Sequence, residues 1–110
     1  MKNDIDMAHE LADIIRNEFA NEKINIECVY LFGSRANGTA KKDSDWDFLV
    51  IIKDNIDRQK RRIAASKARW TSALRDIDID ILVRPMDDLT AINMDTYCVS
   101  YTAIHEGIAV

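Results

Sequence analysis

Three aspartates, Asp43, Asp45 and Asp47, fall within five positions just before the apolar run Phe48-Leu49-Val50-Ile51-Ile52. A strand starting near residue 46 would put Asp45 and Asp47, two residues apart, on one side of the chain. Two like charges on one side of a mostly apolar strand cost free energy unless a cation offsets them. Aspartate oxygens are hard donors, so the ion they suit is magnesium, or manganese in its place. Upstream, the apolar stretch NIECVYLF stops at Gly33-Ser34. Backbone amides at such a turn, with the Ser34 hydroxyl, can hold a phosphate. Downstream, Asp76, Asp78 and Asp80 share one parity, opposite Ile77, Ile79 and Ile81. If that segment neighbours residues 46–52, one of its aspartates faces the Asp45/Asp47 pair, and parity alone leaves Asp78 and Asp80 open. Three carboxylates, up to two metal ions and a phosphate-holding turn describe a phosphoryl- or nucleotidyl-transfer site. There one ion draws an attacking hydroxyl toward its alkoxide and the other holds a triphosphate and its departing pyrophosphate.

Competing readings of the same residues fail at the position each one needs most. Gly33 and Gly38 have the spacing of a P-loop, but Thr39 stands where a lysine must reach the phosphates. Asp43, Asp45 and Asp47 match positions 1, 3 and 5 of a calcium loop, yet Phe48 replaces the glycine of its sharp turn. A dinucleotide fingerprint would need glycine where Arg35 stands.

The elements that must position these residues are legible from periodicity. Ile5, Ala8, Leu11, Ala12, Ile15 and Phe19 recur at three- and four-residue steps and predict an amphipathic helix over residues 3–20. Residues 25–32 and 46–52 read as strands, the second apolar enough to be covered on both faces. Residues 57–75 suit a helix capped by Asp57. Residues 77–83 alternate as a third strand ended by Pro85, and a last helix is expected from Asp88 to Glu106, stopped by Gly107. The expected order is helix, strand, strand, helix, strand, helix. That is a small α/β (α+β) unit with helices packed on a mixed sheet, and 110 residues make one domain, 1–110.

Composition narrows the function classes. The formal net charge of −4 argues against a dedicated nucleic-acid binder. The basic run Lys60, Arg61, Arg62, Lys67 and Arg69 reads as a solvated or partner-facing helix face. No apolar stretch has the length of a membrane span, and acidic residues in the first segment argue against a secretory signal. Cys28 and Cys98 are too few for a disulfide scaffold, and Cys28 reads as a buried thiol in a reducing compartment. A cytoplasmic location is expected.

GSRANGTAKKDSDWDFLV resembles the signature of the DNA polymerase beta-like nucleotidyltransferase superfamily. Gly33-Ser34 is followed by ten residues and then by Asp45-Trp46-Asp47-Phe48. The short length and IDIDILV resemble the minimal nucleotidyltransferase (MNT-type) proteins of prokaryotes. The resemblance implies that Gly33 and Ser34 bind nucleotide phosphates, that Arg35 neutralises phosphate charge, and that Asp45 and Asp47 ligate Mg2+ or Mn2+. Asp80-Ile81-Leu82-Val83 is most similar to the family's third-carboxylate strand, which favours Asp80 over Asp78. The implied activity is transfer of a nucleoside monophosphate, AMP from ATP at family level, to an acceptor hydroxyl with release of pyrophosphate. Similar minimal proteins are often paired with a helical HEPN-type partner as toxin and antitoxin, which implies a partner protein as acceptor. The alternative is a non-catalytic antitoxin or partner-binding protein that retains the fold. In one place the sequence departs from the pattern: Asn37 stands where many minimal members carry a second arginine.

Overall fold

A computed structural model describes residues 3–86 and 106–110. Helix α1 (Asp4–Asn21) begins at Asn3, whose side chain accepts the Asp6 amide at 2.8 Å. Strand β1 (Ile26–Phe32) leads through Gly33 into a single helical turn, α2 (Ser34–Asn37). Strand β2 (Trp46–Ile52), helix α3 (Arg58–Ala73) and strand β3 (Ile79–Pro85) follow, and β4 (Ile108–Ala109) comes last. The four strands form one sheet in the order β3-β2-β1-β4. β1 runs antiparallel to both β2 and β4, whereas β2 and β3 are parallel and joined by the α3 crossover. The sheet is therefore mixed, as expected of the fold the sequence resembles.

The period-two burial of the strands explains the layering. Val29, Leu31, Phe48, Val50, Ile52 and Ile81 point to one face, where they are buried with Leu11, Ile15 and Phe19 of α1 and the small residues Ala64 and Ala68 of α3. Burying each large apolar side chain there stabilises the fold by roughly 1.5–3 kcal/mol. Leu49 and Ile51 face the other way and are equally inaccessible, against Tyr30, Phe32 and Leu82. The double cover expected for the apolar strand is present.

Several boundaries differ from the periodicity. Both long helices end in a Schellman motif, with Lys23 and Asp76 in the left-handed region at φ 60° and 58°. After α3, Ile77 donates its amide to the Ser72 carbonyl at 3.1 Å and Asp76 donates to Ala73 at 2.9 Å. Ile77 is thus held by the helix end, and the third strand begins at Ile79 rather than 77. It also continues through Pro85, because β3 lies at the sheet edge, where a residue lacking an N–H is tolerated. Strand β4 was not expected. Its two residues are too short for any alternation to show, and pairing with β1 makes them a strand. The helix expected over 88–106 lies, but for Glu106, outside the described residues, as does Cys98. Cys28 is half-buried rather than enclosed. Asp57 caps α3 as predicted, accepting the Gln59 amide at 3.2 Å.

Candidate active site

The end of β1, the turn after it, the start of β2 and the start of β3 meet at one end of the sheet. Phe32 lies opposite Asp47 across β1 and β2, and Asp47 lies opposite Asp80 across β2 and β3. Because β2 and β3 are parallel and in register, Asp47 and Asp80 project to the same face. Asp78 precedes β3, and its carbonyl accepts the Trp46 amide at 3.0 Å. The Asp47 carboxyl is pushed above the usual carboxylate range, first by burial, then by the charges of Asp80 and Asp45. The acids that act on Asp47 are thus Asp80 and Asp45.

Gly33 has a structural reason to be glycine. Its φ of 75° with ψ of −156° is a conformation open essentially to glycine. A Cβ at this position would also collide with the Asp47 carboxylate. The turn therefore presses its backbone directly against the central acid. In α2 the Ala36 and Asn37 amides donate to the Gly33 carbonyl at 3.0 and 3.2 Å, and the Ser34 and Arg35 amides precede the first such bond.

Arg35 holds the loop that carries Asp45. Its guanidinium donates to the Ser44 carbonyl at 2.9 and 3.2 Å and to the Lys42 carbonyl at 3.1 Å. It also lies 4.5 Å above the Trp46 ring and 3.8 Å from Asp4. These contacts occupy the group to which the resemblance gives a phosphate-neutralising role. Asn37 closes the turn after α2, its Oδ1 accepting from the Thr39 amide at 3.1 Å and the Thr39 hydroxyl at 2.6 Å. The departure from arginine thus has a local structural use, an Asx turn. Lys41, Lys42 and Asp43 are exposed on the same loop.

Asp80 has a partner that periodicity did not single out. Arg69 of α3 reaches past the β3 edge to Asp80 Oδ1 at 3.1 Å and to the Ile81 carbonyl at 3.3 Å. The Ile81 amide donates to the same carboxylate oxygen at 3.1 Å. No group of three acids, histidines or cysteines among the described residues stands close enough together to hold an ion. The basic run contained Arg69, but a partner eleven residues further along and in a different element leaves no periodic mark; the turn from α3 into β3 brings the two together.

No helix among the described residues is long and apolar enough to cross a membrane. The profile of the family described as polymerase beta, nucleotidyltransferase, matches residues 13–108. No curated protein matches the chain with significance. Among solved structures, a toxin–antitoxin crystal structure with AMP-PNP aligns with a TM-score of 0.55 at 22% identity, over 88% of this chain and 69% of that one. A mutant of the toxin–antitoxin pair MntA-HpeT aligns at 0.56 and 19% identity, over 92% and 69%. The spectinomycin adenyltransferase AAD(9) from Enterococcus faecialis, with ATP and spectinomycin, aligns at 0.57 and 24% identity, over 77% of this chain and 35% of that one. These likenesses are of fold. The mixed sheet, the glycine turn against the paired aspartates and the profile match over most of the chain agree: this protein belongs to the polymerase beta nucleotidyltransferase family, the superfamily in which the minimal nucleotidyltransferases fall.

Proposed function

We propose that the protein transfers a nucleoside monophosphate, AMP from ATP, to an acceptor hydroxyl and releases pyrophosphate, and that it does so in the cytoplasm. One observation carries this reading: Asp47 and Asp80 stand in register on adjacent parallel strands, and Asp47 bears the like-charge burden of both Asp80 and Asp45. Such a set is costly to keep without a cation, and its donors are the hard oxygens that magnesium or manganese prefers. Asp45, Asp47 and Asp80 would hold the ion or ions, with Asp80 turning from Arg69 toward them. When bound, the metal supplies charge neutralisation at the triphosphate and the acceptor oxygen.

The chain's own residues perform the rest. The Gly33-Ser34 turn binds the phosphates through backbone amides and the Ser34 hydroxyl. Arg35 belongs to the nucleotide site through its loop contacts, which set where Asp45 stands. The acceptor oxygen bonds to the α-phosphorus as the bond to the β-phosphate oxygen breaks, and the hydroxyl proton passes to the Asp80 carboxylate. Gly33, by lacking a side chain, lets the phosphates and the Asp47 carboxylate approach one another.

The acceptor in this reading is a hydroxyl on a partner protein of the helical HEPN type. Two of the solved structures with this fold are toxin–antitoxin pairs, and two contain ATP or its analogue. A second reading, a non-catalytic antitoxin retaining the fold, draws on the Arg69–Asp80 pair, which neutralises the third acid. Incubation with labelled ATP, magnesium and the candidate partner separates the two. Label on the partner with the natural protein, and none with the Asp45→Asn/Asp47→Asn double variant, is the expected result. Equal label with both, or none with either while the partner binds, overturns the catalytic reading.

A further inference from the structure

Five arginines line an open groove of roughly 990 Å3 between α3 and the free edge of β3. Arg58, Arg61, Arg62 and Arg69 come from α3 and Arg84 from β3. Their positions on α3 form a helical stripe, whereas Lys67 points away and pairs with Glu22 at 2.8 Å. No acidic residue is among the described residues that line the groove. Of the five, only Arg69 has an ion-pair partner among the described residues. The Nε of Arg61 is buried and has no hydrogen-bond partner there, a costly state for part of a charged group. A chain of net charge −4 thus gathers in one groove four arginines that have no ion-pair partner among the described residues.

We propose that this groove docks an acidic, amphipathic segment of a partner protein. Planar guanidinium forks match carboxylates two donors at a time. The floor is aliphatic, with Ile81 and Val83 beside Pro85, and suits the apolar side chains of such a segment. A nucleic acid fits less well. Its bases would need aromatic platforms, and the groove has none among its described lining. The exposed Trp70 lies in an adjoining hollow with Asp78 and Ile79, which shares Ser66 and Arg69 with the groove. Backbone pairing with the β3 edge is also guarded, because Arg69 and Arg84 already donate to the Ile81 and Val83 carbonyls. Arg69 lines the groove and reaches past the β3 edge to Asp80, so a docked segment lies across that edge from the face that carries Asp47 and Asp80. This inference rests on the reading of a protein acceptor above, but it is tested without ATP.

The probe is a fluorescein-labelled peptide of alternating glutamate and leucine, followed by fluorescence anisotropy. The expected result is salt-sensitive binding that weakens about tenfold or more in Arg61→Gln/Arg62→Gln. A glutamine-leucine peptide should not bind. Arg75→Gln, whose arginine pairs with Glu10 away from the groove, should bind as the natural protein does. If Arg61→Gln/Arg62→Gln melts early, Arg58→Gln/Arg84→Gln serves in its place. Absence of peptide binding, equal binding by natural and arginine-substituted protein, or tighter binding of a labelled oligouridylate overturns the proposal. Peptide binding retained in Asp45→Asn/Asp47→Asn, with no transfer by the natural protein, counts against the enzyme reading and not against the groove.

Discussion

At Asp47, stability and the proposed function pull in opposite directions. Burial and two neighbouring acids raise its carboxyl above the ordinary 3.8, so the folded state holds this proton more tightly than the unfolded chain does. Its charge therefore lowers stability once the pH rises through the raised value. Asp47→Asn should stabilise the metal-free protein at neutral pH, by less than about 1 kcal/mol, because solvent reaches the group and screens it. The gain should vanish below the ordinary carboxylate range, where Asp47 is protonated in both states. Urea melts at several pH values check this, and the same variant should lose transfer. Gly33→Ala tests the turn beside it. The added Cβ meets the Asp47 carboxylate and the backbone is strained, so a loss of about 1–3 kcal/mol is expected, together with loss of nucleotide binding by calorimetry. Arg69→Gln should act the other way on the metal: freeing Asp80 from its ion pair should tighten manganese binding, read by titration calorimetry.

Helix ends and one helix interior carry the predictions that belong to elements. Lys23 and Asp76 occupy the left-handed position where glycine is usual. Lys23→Gly should raise stability by about 0.5–1 kcal/mol in chemical denaturation, the relief of backbone strain exceeding glycine's extra chain entropy. Ser72 is fully buried in α3, and its hydroxyl has no hydrogen-bond partner among the described residues. Ser72→Ala removes the orphaned group and adds helix propensity, and should stabilise by about 1 kcal/mol. The long helices and the two central strands were legible because their apolar periods run over many residues. Where β3 starts was not, because Ile77 alternates perfectly with Ile79 and Ile81 yet its amide is taken by the end of α3.

Across the whole molecule, α1 and α3 lie on one face of the sheet and the candidate site lies at one end of it. α1 and α3 are also tied by Glu22–Lys67, Glu18–Thr71 and Glu10–Arg75. Ile15, with no exposed surface, belongs to the core that joins helices and sheet. Ile15→Ala should cost about 2–5 kcal/mol, and circular dichroism and tryptophan fluorescence should report a single coincident unfolding transition. The sequence by itself determined the chemistry on offer: a glycine turn, paired aspartates ten residues later and a third strand of alternating acid and isoleucine. Those features are local, since each depends on residue type and spacing within one segment. Tertiary structure alone set Asp80 opposite Asp47, because register across two parallel strands is not written in either one. It decided, too, that Arg35 braces a loop, that Arg69 holds Asp80 and that five arginines share one groove. Each of these depends on the crossover and the turn bringing together side chains from different segments, where sequence periodicity is silent.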